Sequence, residues 1–175
     1  ALVNRGIKVL GTDPKAIALA EDRDQFDLLL RELEVPKPRG RAVHTLTEAK
    51  QVVSELGFPV LVRPSFVLGG RAMNICYDEG QFNEVFAEAQ EANPGQPVLV
   101  DEYIVGLEAE VDVISDGVDT LVPGVMEHIE RAGIHSGDSM AVLPPVTLSP
   151  AVQTQMVRAA CLIARRLKVR GLMNI

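Results

Sequence analysis

The run VLVDEYIVGLEAEVDVI, residues 98–114, changes texture halfway along. Its first part, 98–104, reads as a strand entered through the Pro94-Gly95 turn. Its second part, 107–114, alternates strictly. Leu107, Ala109, Val111 and Val113 fall on one face, and Glu108, Glu110 and Asp112 on the other. Strands and helices interleave before this run, and an antiparallel meander follows it. The change near residue 105 therefore predicts two α+β lobes, with a ligand cleft between lobes as the default expectation.

Working outward, Asp116-Gly117 is a hairpin signal, and residues 121–126 return as a strand. Residues 138–146 read as loop and short strand, 150–167 as helix, and 172–175 as strand. Upstream, residues 79–92 read as an amphipathic helix with Phe82, Val85, Phe86 and Ala89 on one face. Residues 59–63 and 73–77 read as strands around a glycine-bearing loop. Residues 42–46 form a predicted strand with His44 inside it as a structural residue. Thr47 is the expected cap of a helix that buries Ala49, Val52, Val53 and Leu56 and stops at Gly57. Residues 7–10 read as a short strand. Asp13 and Pro14 then start a helical stretch that breaks near Asp22 and ends before Pro36 and Pro38.

The chain has 175 residues, 47% of them hydrophobic and 23% charged, which is enough apolar material for a core. Lys+Arg 17 against Asp+Glu 24 gives a net charge of −7, which disfavours broad binding to nucleic acid or an anionic membrane. No apolar run spans a bilayer, and the start lacks a basic head followed by an apolar stretch. Cys76 and Cys161 have no metal-type spacing, so reduced cytoplasmic thiols are expected.

Three segments carry chemistry. RPSFVLGGRAM (63–73) ends a strand in a cation and follows it with adjacent glycines, whose N–H groups can approach phosphate oxygens. It is not a P-loop, because no Gly-Lys-Ser/Thr follows. A simple Gly-Gly turn is the plainer alternative, but an arginine at a strand end calls for a carboxylate or phosphate partner. The acidic face of 107–114 reads as solvated, or as a carboxylate that accepts vicinal hydroxyls. MEHIERAGIHSGDS (126–139) concentrates histidines, acids, serines and glycines in one polar loop, which suits phosphate or hard-cation contacts. His128 and His135 are too far apart for a one-turn zinc pair, and no nucleophile elbow accompanies them.

RPSFVLGGRAM (63–73), MEHIERAGIHSGDS (126–139), AEDR (20–23) and VRGLMNI (169–175) together resemble the large chain of carbamoyl phosphate synthetase. The similarity is to its second ATP-grasp half, and order and spacing agree across essentially the whole chain. It implies an α+β ATP-grasp fold with a complete small lobe and a large lobe cut short. The expected division is 1–34 as the end of a preceding subdomain with linker helices, 35–104 as the small lobe, and 105–175 as the first part of the large lobe.

The resemblance also implies an ATP-dependent ligase that phosphorylates carbamate to carbamoyl phosphate, serving arginine and pyrimidine biosynthesis. Arg23 and Arg63 resemble nucleotide-contacting arginines, and Gly69 and Gly70 fall in a loop over the phosphates. Glu102 and Ile104 lie where backbone groups meet adenine, and Glu110 matches the ribose carboxylate, with Glu108 as its fallback. Gly133, Ile134, His135 and Ser136 match a further stretch of the nucleotide site, and Arg63 and His135 match the catalytic positions. Glu110, His128, Glu130 and Ser139 resemble a monovalent-cation site for K+. The Mg2+ or Mn2+ ligands are expected beyond Ile175, so the fragment itself is expected to be inactive. The implied partners are a small glutaminase subunit and the first synthetase half, within a larger cytoplasmic oligomer. Two departures are Arg131 where the family has Gln, and a stretch 103–110 one residue longer than usual. A different ATP-grasp carboxylate or biotin-dependent ligase, and a non-catalytic nucleotide-binding or folding module, are the competing readings.

Overall fold

The structure is a computed structural model that describes residues 5–64, 74–130 and 139–175. The chain divides into two compact units, Lys37–Val105 and a second that joins the residues up to Pro36 to Gly106–Ile175.

The unit Lys37–Val105 is a four-stranded antiparallel sheet with two helices. Its strands are β1 (Gly40–Val43), β2 (Val60–Pro64), β3 (Asn74–Cys76) and β4 (Val98–Glu102), in the order β1-β4-β2-β3. The helices α3 (Leu46–Leu56) and α4 (Glu79–Ala92) pack on one face of it. Val43, Val60, Val62, Val98 and Val100 alternate inward from the strands to meet Ala49, Val52, Phe82, Phe86 and Ala89. Phe82 and Phe86 stack with ring centroids 5.8 Å apart, and both are almost wholly buried. Gly40 is required by close approach: a Cβ there would lie 2.5 Å from the Val100 carbonyl oxygen and closer still to the Asp101 carboxylate.

Three expectations are corrected in this unit. Thr45, not Thr47, caps α3: its hydroxyl accepts from Glu48 N–H at 3.2 Å, while the Glu48 carboxylate accepts from Thr45 N–H at 3.3 Å. The T-x-x-E spacing at 45–48 is the signal, whereas the residue three after Thr47 is Lys50, which cannot reciprocate. Strand β1 consequently ends at Val43, and His44 is exposed beyond it, its carbonyl accepting from Gln90 Nε2 at 2.9 Å. Gly57, with φ of 77°, ends the helix as predicted.

The second unit holds α1 (Pro14–Glu21), α2 (Arg23–Glu32), the strands β5 (Ala109–Asp116), β6 (Thr120–Leu121), β7 (Val125–His128), β8 (Ala141–Val142) and β9 (Arg170–Asn174), and the helix α5 (Pro150–Arg166). The sheet runs β6-β5-β7-β8, with β9 antiparallel to β5. Asp112 stands opposite Asn174, and Glu110 opposite Met126. Val111, Val113 and Val125 bury one face of the sheet against Ala160, Ile163, Ala164 and Leu167. The predicted hairpin at Asp116-Gly117 forms, with Ile114 opposite Leu121.

Residues 7–10 form no strand; Ile7 and Leu10 are 51% and 84% exposed, and no neighbouring ladder pairs with them among the described residues. Leu29 and Leu30 of α2 are buried in the same apolar cluster as β5 and α5, which cover that face of the helix.

Candidate functional site

The core-facing side chains of β5 and β7 alternate with a polar set on the opposite face of the sheet. Glu110 Oε1 lies 3.2 Å from Nε2 of His128 across the β5–β7 ladder. The His128 side chain is only 2% exposed, and its buried Nδ1 has no hydrogen-bond partner among the described residues. The other Glu110 oxygen accepts from Asn174 Nδ2 at 3.2 Å, and the same nitrogen donates to Asp112 Oδ1 at 2.9 Å. Glu108 stands on this face two residues before Glu110, and its carbonyl accepts from His128 N–H at 2.9 Å.

Beyond the end of β7, Glu130 Oε2 accepts from Ser139 Oγ and from Met140 N–H, both at 2.7 Å. The Ser139 hydroxyl and then the Met140 N–H hold its carboxyl below the usual carboxylate range, with His128 adding a smaller share. Of the four residues that resemble members of a cation site, Glu110 pairs with His128 and Glu130 with Ser139, and no three His, Cys, Asp or Glu side chains converge on a metal-sized site among the described residues.

In the unit Lys37–Val105, Arg63 lies near the end of β2 and Asp101 on the neighbouring strand β4. The Arg63 guanidinium donates to Asp101 Oδ2 at 3.3 Å, while Asp101 is 7% exposed at its side chain. Pairing a strand-end cation with a buried carboxylate offsets the cost of removing both from water. Arg63 Nε is buried without a hydrogen-bond partner among the described residues.

Glu102, at the end of β4, is engaged on two sides. Its N–H donates to the Arg39 carbonyl at 2.7 Å, and its carboxylate takes the Arg39 guanidinium in two bonds of 3.0 and 3.1 Å. The Arg39 hydrogen bonds hold the Glu102 carboxyl below its ordinary range. Ile104, just past the strand, is 55% exposed. Arg23 is the first residue of α2 and half-buried, in the other unit. Gly69, Gly70, Gly133, Ile134, His135 and Ser136 lie outside the described residues, as does the departure at Arg131.

Four partners are not apparent along the chain. Asp101, Arg39 and Asn174 each hold a singled-out residue, and Glu127 organises the stretch before α5. The buried Glu127 carboxylate accepts from the N–H groups of Val146 and Thr147 at 2.8 Å and from the Thr147 hydroxyl. These contacts, the Thr147 hydroxyl foremost, lower its carboxyl from the usual range. The acid at 101 inside a buried strand was a legible signal. The others depend on ladder register, which one strand alone does not reveal.

Two open cavities of about 570 and 410 Å³ lie in the second unit. The larger is lined by Val111, Met156 and Ile163, on the apolar side of the sheet and away from Glu110 and His128. No helix is long and apolar enough to cross a membrane among the described residues.

Residues 22–175 match the family described as carbamoyl-phosphate synthase L chain, ATP binding domain. A carbamoyl phosphate synthase large chain from Clostridium acetobutylicum is 49% identical over 174 residues, covering 99% of this chain and 16% of that protein. A biotin carboxylase–β-γ-ATP complex from Campylobacter jejuni superposes with a TM-score of 0.82 at 21% identity, over 99% of this chain and 40% of that one. The biotin carboxylase domain of Hydrogenobacter thermophilus 2-oxoglutarate carboxylase, solved with MgADP, ADP and bicarbonate, gives 0.79 at 23% identity, with 99% and 40% covered. At those identities the structural likeness shows the fold, which is ATP-grasp. The match over 22–175 and the 49% identity place the sequence: this chain belongs to the ATP-binding-domain family of carbamoyl phosphate synthase large chains.

Proposed function

We propose that this chain is the nucleotide-binding part of an ATP-dependent ligase that phosphorylates carbamate to carbamoyl phosphate. The observation that carries the reading is 49% identity to a carbamoyl phosphate synthase large chain across 99% of the sequence. The MEHIE and HSGDS segments, 126–130 and 135–139, favour the second synthetase half over the first. Because the chain spans 16% of that relative, turnover is assigned to the longer protein and not to residues 1–175 alone.

A phosphoryl group in transfer spreads negative charge over its oxygens, so catalysis rests on positioned cations and N–H donors more than on a nucleophile. Arg63, steadied by Asp101, supplies one such cation toward the phosphates, with His135 as the second catalytic candidate. Arg23, Gly69, Gly70, Gly133, Ile134 and Ser136 complete the proposed nucleotide set, and the backbone at Glu102 and Ile104 reads the base. Glu110 accepts the ribose hydroxyls, with Glu108 on the same face as its alternative.

Mg2+ is the proposed metal, and it would neutralise phosphate charge; its ligands are expected outside this segment. Mn2+ and K+ come only from the family resemblance, and no step is routed through them. A glutaminase subunit supplying ammonia, the first synthetase half, a larger oligomer and a cytoplasmic setting are proposed on the same basis.

The test is carbamate-dependent ATP turnover by the intact protein. Turnover that needs carbamate supports the proposal. Acyl-phosphate formation from a different carboxylic acid, with none from carbamate, assigns the chain to another ATP-grasp ligase.

A further inference from the structure

We infer that Asn174 is a positioning residue for the sugar end of the nucleotide site, acting through Glu110. This rests on the ribose role proposed for Glu110. The Asn174 amide nitrogen has two hydrogens, and both are spent: one on Asp112 Oδ1 at 2.9 Å, the other on Glu110 Oε2 at 3.2 Å. Asn174 stands directly opposite Asp112 in the β5–β9 ladder, so backbone pairing fixes where the amide starts. Glu110 lies two residues along the same face of β5, within reach of one amide bridging both acids.

The other Glu110 oxygen lies 3.2 Å from His128 Nε2. The carboxylate is thus held at both ends, by a donor from β9 and a ring from β7. Its rotation about the last side-chain bond, soft in a free glutamate, is restricted by these two neighbours. A carboxylate fixed in one plane accepts a vicinal diol from one direction, which is what discrimination between sugars requires. The nearly buried His128 ring, with Nδ1 unpartnered among the described residues, marks this face as more than a solvated edge. Among the described residues, the other charged groups on or beside it are Glu108, just before β5, and Glu130, beyond β7. Asn174 donates nothing to the apolar core beneath, so its removal leaves that packing in place.

The experiment uses the intact protein and the reverse reaction, ATP formation from carbamoyl phosphate. It compares ADP with 2′,3′-dideoxy-ADP as acceptor in wild type, Asn174→Ala and Asn174→Asp. For wild type the expected kcat/KM preference for ADP is about tenfold or more, since a site built to bond hydroxyls rejects the analogue lacking them. In both variants the preference falls to about threefold or less, through a raised KM for ADP with kcat and the dideoxy reaction little changed. A preference retained in both variants overturns the inference while leaving the ATP reading intact. Equal loss with both nucleotides, or failure of both variants to fold, overturns it by making Asn174 merely structural. No reaction from wild type overturns the carbamate reading and this inference with it.

Discussion

Arg63 on β2 donates to the buried carboxylate of Asp101 on β4 at 3.3 Å, one strand over and two residues out of direct register. Leu61 is the residue directly opposite Asp101, so the contact is diagonal, across a spacing that a long side chain can reach. The cation that the sequence singles out is held by the protein before any ligand arrives. Asp101→Asn keeps the shape but weakens the charge pairing. It is expected to raise the KM for nucleotide in the intact protein without unfolding it. Steady-state kinetics beside a thermal melt check this, and an unchanged KM would mean that Asp101 plays no part in holding Arg63.

The capping box at Thr45 and Glu48 is the strongest local signal in the unit Lys37–Val105. Thr45→Ala is expected to cost about 1 kcal/mol, within the range of about 0.5–2 kcal/mol for such caps. Thr47→Ala should be near neutral. Denaturant titration of both variants separates them, and equal effects would contradict the assignment of the cap.

Phe82 is fully buried and touches both Phe58 and Phe86. Phe82→Ala is expected to destabilise this unit by about 3–5 kcal/mol, from lost burial and the cavity left behind. Phe58 is 39% exposed, so truncating it should matter far less. Limited proteolysis that follows cleavage between 37 and 105 would detect the difference.

Glu127 gives a pH signature. Its carboxyl is held below the usual range by the Thr147 hydroxyl and the N–H groups of Thr147, Leu148 and Val146. A folded pKa below the unfolded one contributes stability that is present above the unfolded value and lost as pH falls through the folded one. Glu127→Gln should therefore lower the melting temperature at pH 7, and the difference should begin to shrink as the pH falls below about 4.3, the ordinary glutamate value, closing as it passes through the lower folded one. A difference that stays constant down to pH 3 would contradict the account.

Much of the fold was legible because local signals agreed with one another. The capped helix 79–92, the hairpin at Asp116-Gly117 and the alternation in 107–114 each used one clear periodicity or turn. Residues 7–10 failed because an apolar run says nothing about whether a partner strand exists to complete its ladder. The candidate site was less legible for a related reason. Glu110 and His128 were named from the chain, but their clip, Asn174, comes from a strand more than sixty residues away, brought into register only by the fold. The same holds for Arg39 against Glu102. Glu127 was hidden because, in MEHIE, the polar residues on opposite faces of β7 look alike in sequence.

The central claim is that this segment serves transfer of a phosphoryl group between ATP and carbamate, with Arg63 among the groups that stabilise the transfer. The most direct measurement is ATP formation from ADP and carbamoyl phosphate by the intact protein, wild type against Arg63→Ala. The account predicts a rate that falls by about 100-fold or more, the usual consequence of removing a preorganised electrostatic group. An Arg63→Ala protein that makes ATP at the wild-type rate would contradict it.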